Sequence, residues 1–290
     1  MTFVVPYPEQ PFLELDALWI QVAGSRCNLT CTHCFVSCGP EADHHAMMSR
    51  EQVAGRVAEG LALGVREFYF TGGEPFLHLG LIGILADTLA HAPCTVLTNG
   101  TLFTARRIEE LRLLSDASRY AFEIRVSFDG EDAATHDAVR GAGSFARALE
   151  GLGRVAAEGL LPIATVTQLD DEDPLAFRER WVARLRAAGI ARPRLKILPL
   201  FRLGRETARS RGYDRAESLA GMSGRDFDPR RLQCGTSRAV TSRGVFVCPL
   251  LVDEPAGRMG ATLAETFRPF ELKHGACFTC YTTGMTCGNG

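Results

Sequence analysis

Short apolar runs alternate with segments of helical period between about residues 17 and 200. Leu18–Val22, Glu67–Thr71, Cys94–Thr98, Phe122–Ser127, Pro162–Thr167 and Leu195–Leu198 read as strands. The stretches between them carry helix-start signals. Ser49-x-x-Gln52 has the form of a capping box and opens a helix to about Leu63. A helix is expected near Leu79–His91, Thr104 is expected to cap one through Leu114, and Ser144 one to about Glu158. Asp173-Pro174 sets an N-cap before a proline at the first helical position, for a helix to about Ala188. Such alternation predicts an α/β fold, with a parallel sheet and helices outside it. Right-handed crossovers curl the sheet, and six units fall short of the eight that close a barrel. The expectation is a partial, open (β/α)6 barrel over residues 1–200, with ligands at the C-terminal ends of its strands.

From Phe201 to Gln233 the apolar period degrades into Arg, Gly, Ser and Asp, as in a linker and crossover. Residues 234–290 form a small cysteine-rich extension that needs a metal or the main domain in order to fold.

Composition narrows the classes. The 290-residue chain is 46% hydrophobic and 23% charged, with a formal net charge of −2, so nothing points to nucleic acid or a membrane surface as partner. Met1–Pro11 does not read as a secretory signal, and no stretch approaches the ~20 apolar residues of a membrane span. Ten cysteines in such a chain predict a reducing cytoplasm and metal binding rather than disulfides.

The chemistry concentrates after the first strand, in Cys27-x3-Cys31-x2-Cys34. Three thiolates are one short of the four that a [4Fe–4S] cluster usually takes, which leaves one iron open. A zinc site would prefer C-x2-C pairs with partners later in the chain. Thr71-Gly72-Gly73-Glu74-Pro75 ends the second strand, where two glycines allow a ligand close to the backbone and Glu74 offers an acceptor for a cation. Thr98-Asn99-Gly100 ends the third strand. Ser127-Phe128-Asp129-Gly130 ends the fourth, followed by His136-Asp137-Ala138-Val139-Arg140-Gly141.

Together these motifs resemble the radical S-adenosylmethionine (SAM) superfamily. The resemblance implies that Cys27, Cys31 and Cys34 hold a [4Fe–4S] cluster whose open iron chelates the amino and carboxylate groups of SAM. Reductive cleavage then gives methionine and a 5′-deoxyadenosyl radical. It further implies that Gly72, Gly73 and Glu74 bind the SAM amino group, that Asn99 lies near SAM, and that Ser127 and Arg140 contact its carboxylate and ribose region. Ile197–Leu200 and Gly204-Arg205 resemble the segment that packs on the adenine, with core packing as the equal alternative.

Cys234, Cys248, Cys277 and Cys280 form a second constellation, with Cys234-x9-Gly244-x3-Cys248 reading as a hairpin bearing a cysteine at each end. It resembles the twitch domain, the shortened form of the SPASM domain, and so implies a second, auxiliary [4Fe–4S] cluster closed by four thiolates. The spacing from Gly244 to Cys248 departs by one residue from the usual SPASM opening. A structural zinc site is the competing reading, and Cys287 is able to replace one of the ligands. Cys94 reads as a core residue and Cys38 as an ordinary loop cysteine rather than a hydrogen donor. His33, His44 and His45 read as solvated, Asp129 as a substrate ligand or turn cap, and Gln168–Asp173 as an acidic, helix-capping loop.

The resemblance therefore implies an iron–sulfur oxidoreductase fed by a flavodoxin- or ferredoxin-type electron donor. Its radical would abstract hydrogen from an unactivated C–H bond. Oxidation or rearrangement of a small molecule, with the auxiliary cluster as electron acceptor, is the first expectation. Modification of a peptide or protein side chain, by crosslinking or formylglycine-type oxidation, is the second. Peptide-modifying relatives often carry a leader-binding domain of some 80 residues, and the 26 residues before Cys27 are too few for one, which favours the first.

Overall fold

The computed structural model describes residues 5–169, 172–284 and 287–288. In chain order the strands are β1 (Glu9–Gln10), β2 (Ala17–Gln21), β3 (Glu67–Thr71), β4 (Cys94–Thr98), β5 (Phe122–Phe128), β6 (Ile163–Gln168), β7 (Arg194–Pro199), β8 (Ser237–Thr241), β9 (Gly244–Phe246), β10 (Arg258–Gly260) and β11 (Phe270–Glu271). The helices are α1 (Arg50–Ala62), α2 (Leu81–Leu89), α3 (Ala105–Ala117), α4 (Ala133–Arg140), α5 (Ser144–Ala157), α6 (Pro174–Ala187) and α7 (Gly275–Thr283).

Strands β2 to β7 pair in parallel in sequence order, each pair joined by a helical crossover. The sheet does not close, because β7 remains an edge. This is the expected open, partial barrel of the α/β class. Its other side is extended by β8, parallel to β2, and then by β9 and β10, both antiparallel. The β8–β9 hairpin thus carries the cysteine-rich extension into the barrel's own sheet.

The core explains the strand order. Ile20, Phe68, Phe70, Val96, Val126, Phe128 and Val166 are fully buried, as strands covered on both faces must be. Burying a side chain of this size contributes about 1.5–3 kcal/mol. The capping box at Ser49 and the caps at Thr104 and Asp173 form as expected. Ser144 does not cap α5. Residues 133–140 fold into α4 instead of a loop, which brings Asp137 to the start of α5. Asp137 then accepts from the N–H groups of Gly143 (2.6 Å) and Phe145 (2.8 Å) and from the Ser144 hydroxyl (3.0 Å). Among the described residues, no helix is long and apolar enough to cross a membrane.

Candidate active site

The loop between β2 and α1 closes on itself before it presents its cysteines. Cys27 N–H donates to the Gly39 carbonyl (3.1 Å) and Gly39 N–H to that of Ser25 (3.1 Å), so the eleven intervening positions form a bounded loop. Its floor is the end of β3. Gly73 N–H donates to the Gly24 carbonyl and Glu74 N–H to that of Arg26, both at 2.8 Å. A Cβ at Gly73 would fall 1.9 Å from the Arg26 carbonyl oxygen, so only glycine permits this approach. We expect Gly73→Ala to push the cysteine loop off its floor at a cost of about 1–3 kcal/mol. Denaturant unfolding of the variant checks this, and an unchanged midpoint would contradict it.

The loop is clamped from the opposite side by the segment after β7. Arg205 donates through Nε to the Cys31 carbonyl (2.8 Å) and through its terminal nitrogens to the carbonyls of Ser37 and Cys38. Its backbone N–H reaches the Cys34 carbonyl at 3.0 Å, and Arg209 binds the Thr32 hydroxyl at 2.7 Å. Gly204, at φ +53°, lies where a Cβ would sit 2.5 Å from the Cys34 carbonyl. Gly204-Arg205 therefore holds the cysteine loop.

N–H groups also aim at the sulfurs. Leu29 and Cys38 donate from the backbone to Cys27 (3.4 Å) and Cys34 (3.3 Å), and Asn99 Nδ2 lies 3.8 Å from the Cys27 sulfur. Burial pushes the Cys27 thiol up to about 12 and raises that of Cys31. A hydrogen bond from the Cys38 thiol lowers Cys34 to about 5. Cys38 is thus an integral part of the loop, buried beside Cys34.

Cys27, Cys31 and Cys34 line an open cavity whose empty space, counted out through its mouth, is about 1320 Å³. Gly72, Gly73, Asn99 and Ser127 line it too, each at or just beyond a strand end as expected, and Arg140 reaches it from the last position of α4. Leu198, Pro199 and Leu200 form part of the wall. Glu74 does not line it. Its carboxylate is fully buried and accepts from Phe76 N–H (3.0 Å), the Thr98 hydroxyl (2.7 Å) and Asn99 N–H (2.8 Å). That geometry ties the end of β3 to the end of β4 and holds the carboxylate beneath the cavity wall.

Asp129 is buried between Arg140, with which it forms a short ion pair, and His33 Nε2 at 2.7 Å. It therefore neither caps a turn nor faces the cavity. Burial alone would raise its carboxyl, but Arg140 and His33 more than reverse this and hold it far below the carboxylate range. His33 and His45 are not solvated as expected, for each is paired with a carboxylate. Gln168, Glu172 and Asp173 do form a helix-capping loop, while Asp170 and Asp171 lie outside the described residues.

The model of the Radical SAM superfamily matches residues 22–170, about half of the chain, and takes in the cysteine triplet and the motifs at Gly72–Glu74, Asn99, Ser127 and Arg140. The chain belongs to the radical SAM superfamily. Radical SAM membership makes it an enzyme and brings SAM and a SAM-binding [4Fe–4S] cluster with it. It is 30% identical over 159 residues to a GTP 3′,8-cyclase of Peptoclostridium acidaminophilum, covering 51% of this chain and 46% of that protein. It is 31% identical over 175 residues to the mycofactocin maturase MftC of Mycobacterium ulcerans, covering 56% and 46%. The chain thus aligns with about half the length of these curated relatives. Among solved structures it resembles anSMEcpe with bound AdoMet (TM-score 0.63, 18% identity, 87% of this chain and 80% of that one). It also resembles Streptococcus suis SuiB bound to precursor peptide SuiA (TM-score 0.66, 15% identity, 96% and 72%). At such identities these likenesses speak to the fold.

The radical SAM chain also gathers its remaining cysteines, except Cys94, which is buried in the core. Cys234 precedes β8, Cys248 follows β9, and Cys277 and Cys280 sit three residues apart on one face of α7. With Cys287 they line a pocket walled by Leu232, Pro249, Leu250, Leu272 and Ala276. Burial raises all five thiols, to about 11 at Cys248 and about 12 at Cys277 and Cys287. None of the ten cysteines is in a disulfide. A tetrahedral zinc ion with Zn–S bonds of about 2.3 Å draws its sulfurs to about 3.8 Å from one another. Among the described residues, no three cysteine sulfurs lie within 4.8 Å of one another. Neither group is therefore drawn in to the spacing of a single zinc ion, and the first is the one to which the family assigns a [4Fe–4S] cluster.

Sequence reasoning placed Arg205 in an adenine-packing segment rather than as the clamp of the cysteine loop, and it missed Arg238. Arg238 is 1% exposed and donates to the carbonyls of Cys234 (2.7 Å) and Thr266 (2.8 Å), placing a buried cation beside the second cysteine group. The signal was present as an arginine one residue into a strand followed by Ala-Val, a poor place for charge without a counter-charge.

Proposed function

We propose that this radical SAM enzyme removes a hydrogen atom from an unactivated C–H bond of a small molecule, whose radical then gives a proton to a base and its remaining electron to a second [4Fe–4S] cluster. One observation carries this reading. A single cavity is lined by Cys27, Cys31 and Cys34 on one side and by Pro249, Leu250 and Cys287 on the other. The latter three also line the pocket of Cys234, Cys248, Cys277 and Cys280. A substrate in that cavity lies between both thiol groups, as a relay from one to the other needs.

When bound, SAM and its cluster supply the 5′-deoxyadenosyl radical. The chain's own residues do the rest. Cys27, Cys31 and Cys34 hold the first cluster, and Asn99 adds a hydrogen bond at the Cys27 sulfur, a lever on its potential. The backbone of Gly72 and Gly73, with Asn99, Ser127 and Arg140, cradles SAM, while Glu74 acts from below by fixing the two strand ends. Leu198, Phe201 and Leu250 exclude water from the radical. Cys234, Cys248, Cys277 and Cys280 close the auxiliary cluster, with Cys287 as the alternative ligand beside the cavity. The unit boundaries follow: residues 1–200 as radical SAM core, 201–233 as a crossover that doubles as the loop clamp, and 234–290 as a twitch-like domain. A flavodoxin- or ferredoxin-type donor in a reducing cytoplasm completes the electron path.

A second reading, modification of a peptide side chain, is supported by the likeness to MftC and to SuiB with its precursor peptide, and by the cavity's open mouth. The first reading needs the auxiliary cluster. Iron and acid-labile sulfide, measured in the reconstituted Cys27/Cys31/Cys34→Ala variant, test it. About four irons per chain should remain. Zinc or an empty protein would remove the auxiliary cluster and with it the proposed electron acceptor.

A further inference from the structure

One set of donors among the described residues converges within the range of a single ion: His44, His45 and Asp253, with ligand atoms all within 4.8 Å of one another. His45 Nε2 lies 2.7 Å from one carboxylate oxygen of Asp253, and His44 Nε2 lies 3.4 Å from the other. A tetrahedral ion with metal–ligand bonds of about 2.0–2.1 Å separates its ligand atoms by about 3.3 Å. Small movements therefore seat a cation between the three side chains.

The frame around them is rigid. His45 is 1% exposed, its N–H donates to the Ser25 hydroxyl (3.2 Å), and its carbonyl accepts from Ser25 N–H (3.0 Å). A Cβ at Gly24 would sit 2.2 Å from that carbonyl, so the chain at His45 is pressed against the end of β2. Ala46 N–H is held by the Ser242 hydroxyl at 2.9 Å. The buried Nδ1 of His45 has no partner, so no second hydrogen bond fixes the ring's proton on one nitrogen. The side chains of His44 and Asp253 keep 34% and 26% exposure, which leaves room for water as a further ligand.

We propose that His44, His45 and Asp253 form a third metal site, of imidazole–carboxylate type, suited to Zn²⁺ or a similar divalent ion. It holds no thiolate and so is chemically unlike either cysteine group. Its position gives it a role. His44 Nε2 also lies 3.0 Å from the Val36 carbonyl in the first cysteine loop, a contact in which it donates its N–H and which a bound ion takes over, and Asp253 stands five residues beyond Cys248. The ion fastens the SAM-side loop to the turn that follows Cys248, one member of the second cysteine group.

The test uses the full chain, purified and reconstituted anaerobically, then equilibrated with Zn²⁺ and desalted. About one zinc per chain should remain alongside the iron, and zinc-edge X-ray absorption should report only nitrogen and oxygen neighbours near 2.0–2.1 Å. His44→Gln and Asp253→Asn, both at partly exposed positions, should each reduce zinc affinity at least ~10-fold, with retained iron showing that the variants still fold. No retained zinc, sulfur in the zinc shell, or equal retention by both variants would each overturn the site.

Discussion

Replacing Cys31 with alanine should reduce 5′-deoxyadenosine formation to that of a blank. The side chain is 8% exposed and lines the cavity, while the backbone around it is held by groups that the substitution leaves in place. Arg205 grips the Cys31 carbonyl and Thr32 N–H donates to that of Val139 (2.9 Å), so the loop keeps its shape with one sulfur fewer. Two thiolates are too few for a cluster whose open iron is needed by SAM, and about four irons per chain should be lost with the activity. Cys277→Ala/Cys280→Ala is the contrasting case. Those residues sit on α7 and line the second pocket rather than the cavity of Cys27, Cys31 and Cys34, so SAM cleavage should persist while product formation is lost. Retained cleavage in the Cys31 variant would remove this loop from the chemistry, and unchanged turnover in the double variant would remove the second group.

The barrel was legible because its strands are buried on both faces, so their apolar runs stand out against helices that announce their own caps, as at Ser49, Thr104 and Asp173. The α4 helix was hidden by its polar composition. Its N-cap is Asp132, and only tertiary contact buries His136 and Val139. Missing it misassigned the start of α5, because Asp137 caps that helix from seven or eight residues upstream. The cysteine spacings were legible because ligands must cluster in sequence when one loop holds a metal group. Clamp and counter-charge residues obey no such rule. Arg205 meets Cys31 across 174 positions, and Asp253 meets His45 across 208, so no local pattern marks either. Glu74 shows the opposite limit. Its motif identified the neighbourhood, but the direction of its carboxylate depends on the N–H groups of Phe76 and Asn99, which only the fold brings together.

Asp129→Ala should cost about 3–5 kcal/mol of stability, the largest loss expected outside the core. Asp129 is fully buried and Arg140 keeps 11% side-chain exposure, so the wild-type pair has little solvent around it. Removing the carboxylate leaves the Arg140 guanidinium with the cavity wall and the nearby Cys31 for company, and strips His33 of its acceptor. The penalty is that of an uncompensated buried charge rather than the net value of the pair, and a second substitution separates the two. Asp129→Leu with Arg140→Met removes both charges and should recover most of the lost stability, because apolar side chains of similar volume often replace a buried ion pair at little cost. Guanidinium unfolding at constant m-value measures both variants. SAM binding distinguishes the residues' roles: the Asp129 variant retains the guanidinium at the cavity, whereas the double variant loses it and should bind SAM more weakly despite its better stability. A loss below about 1 kcal/mol in the single variant, the range of an exposed ion pair, would mean that water reaches the pair in solution and that the β5 end is more open than its burial implies.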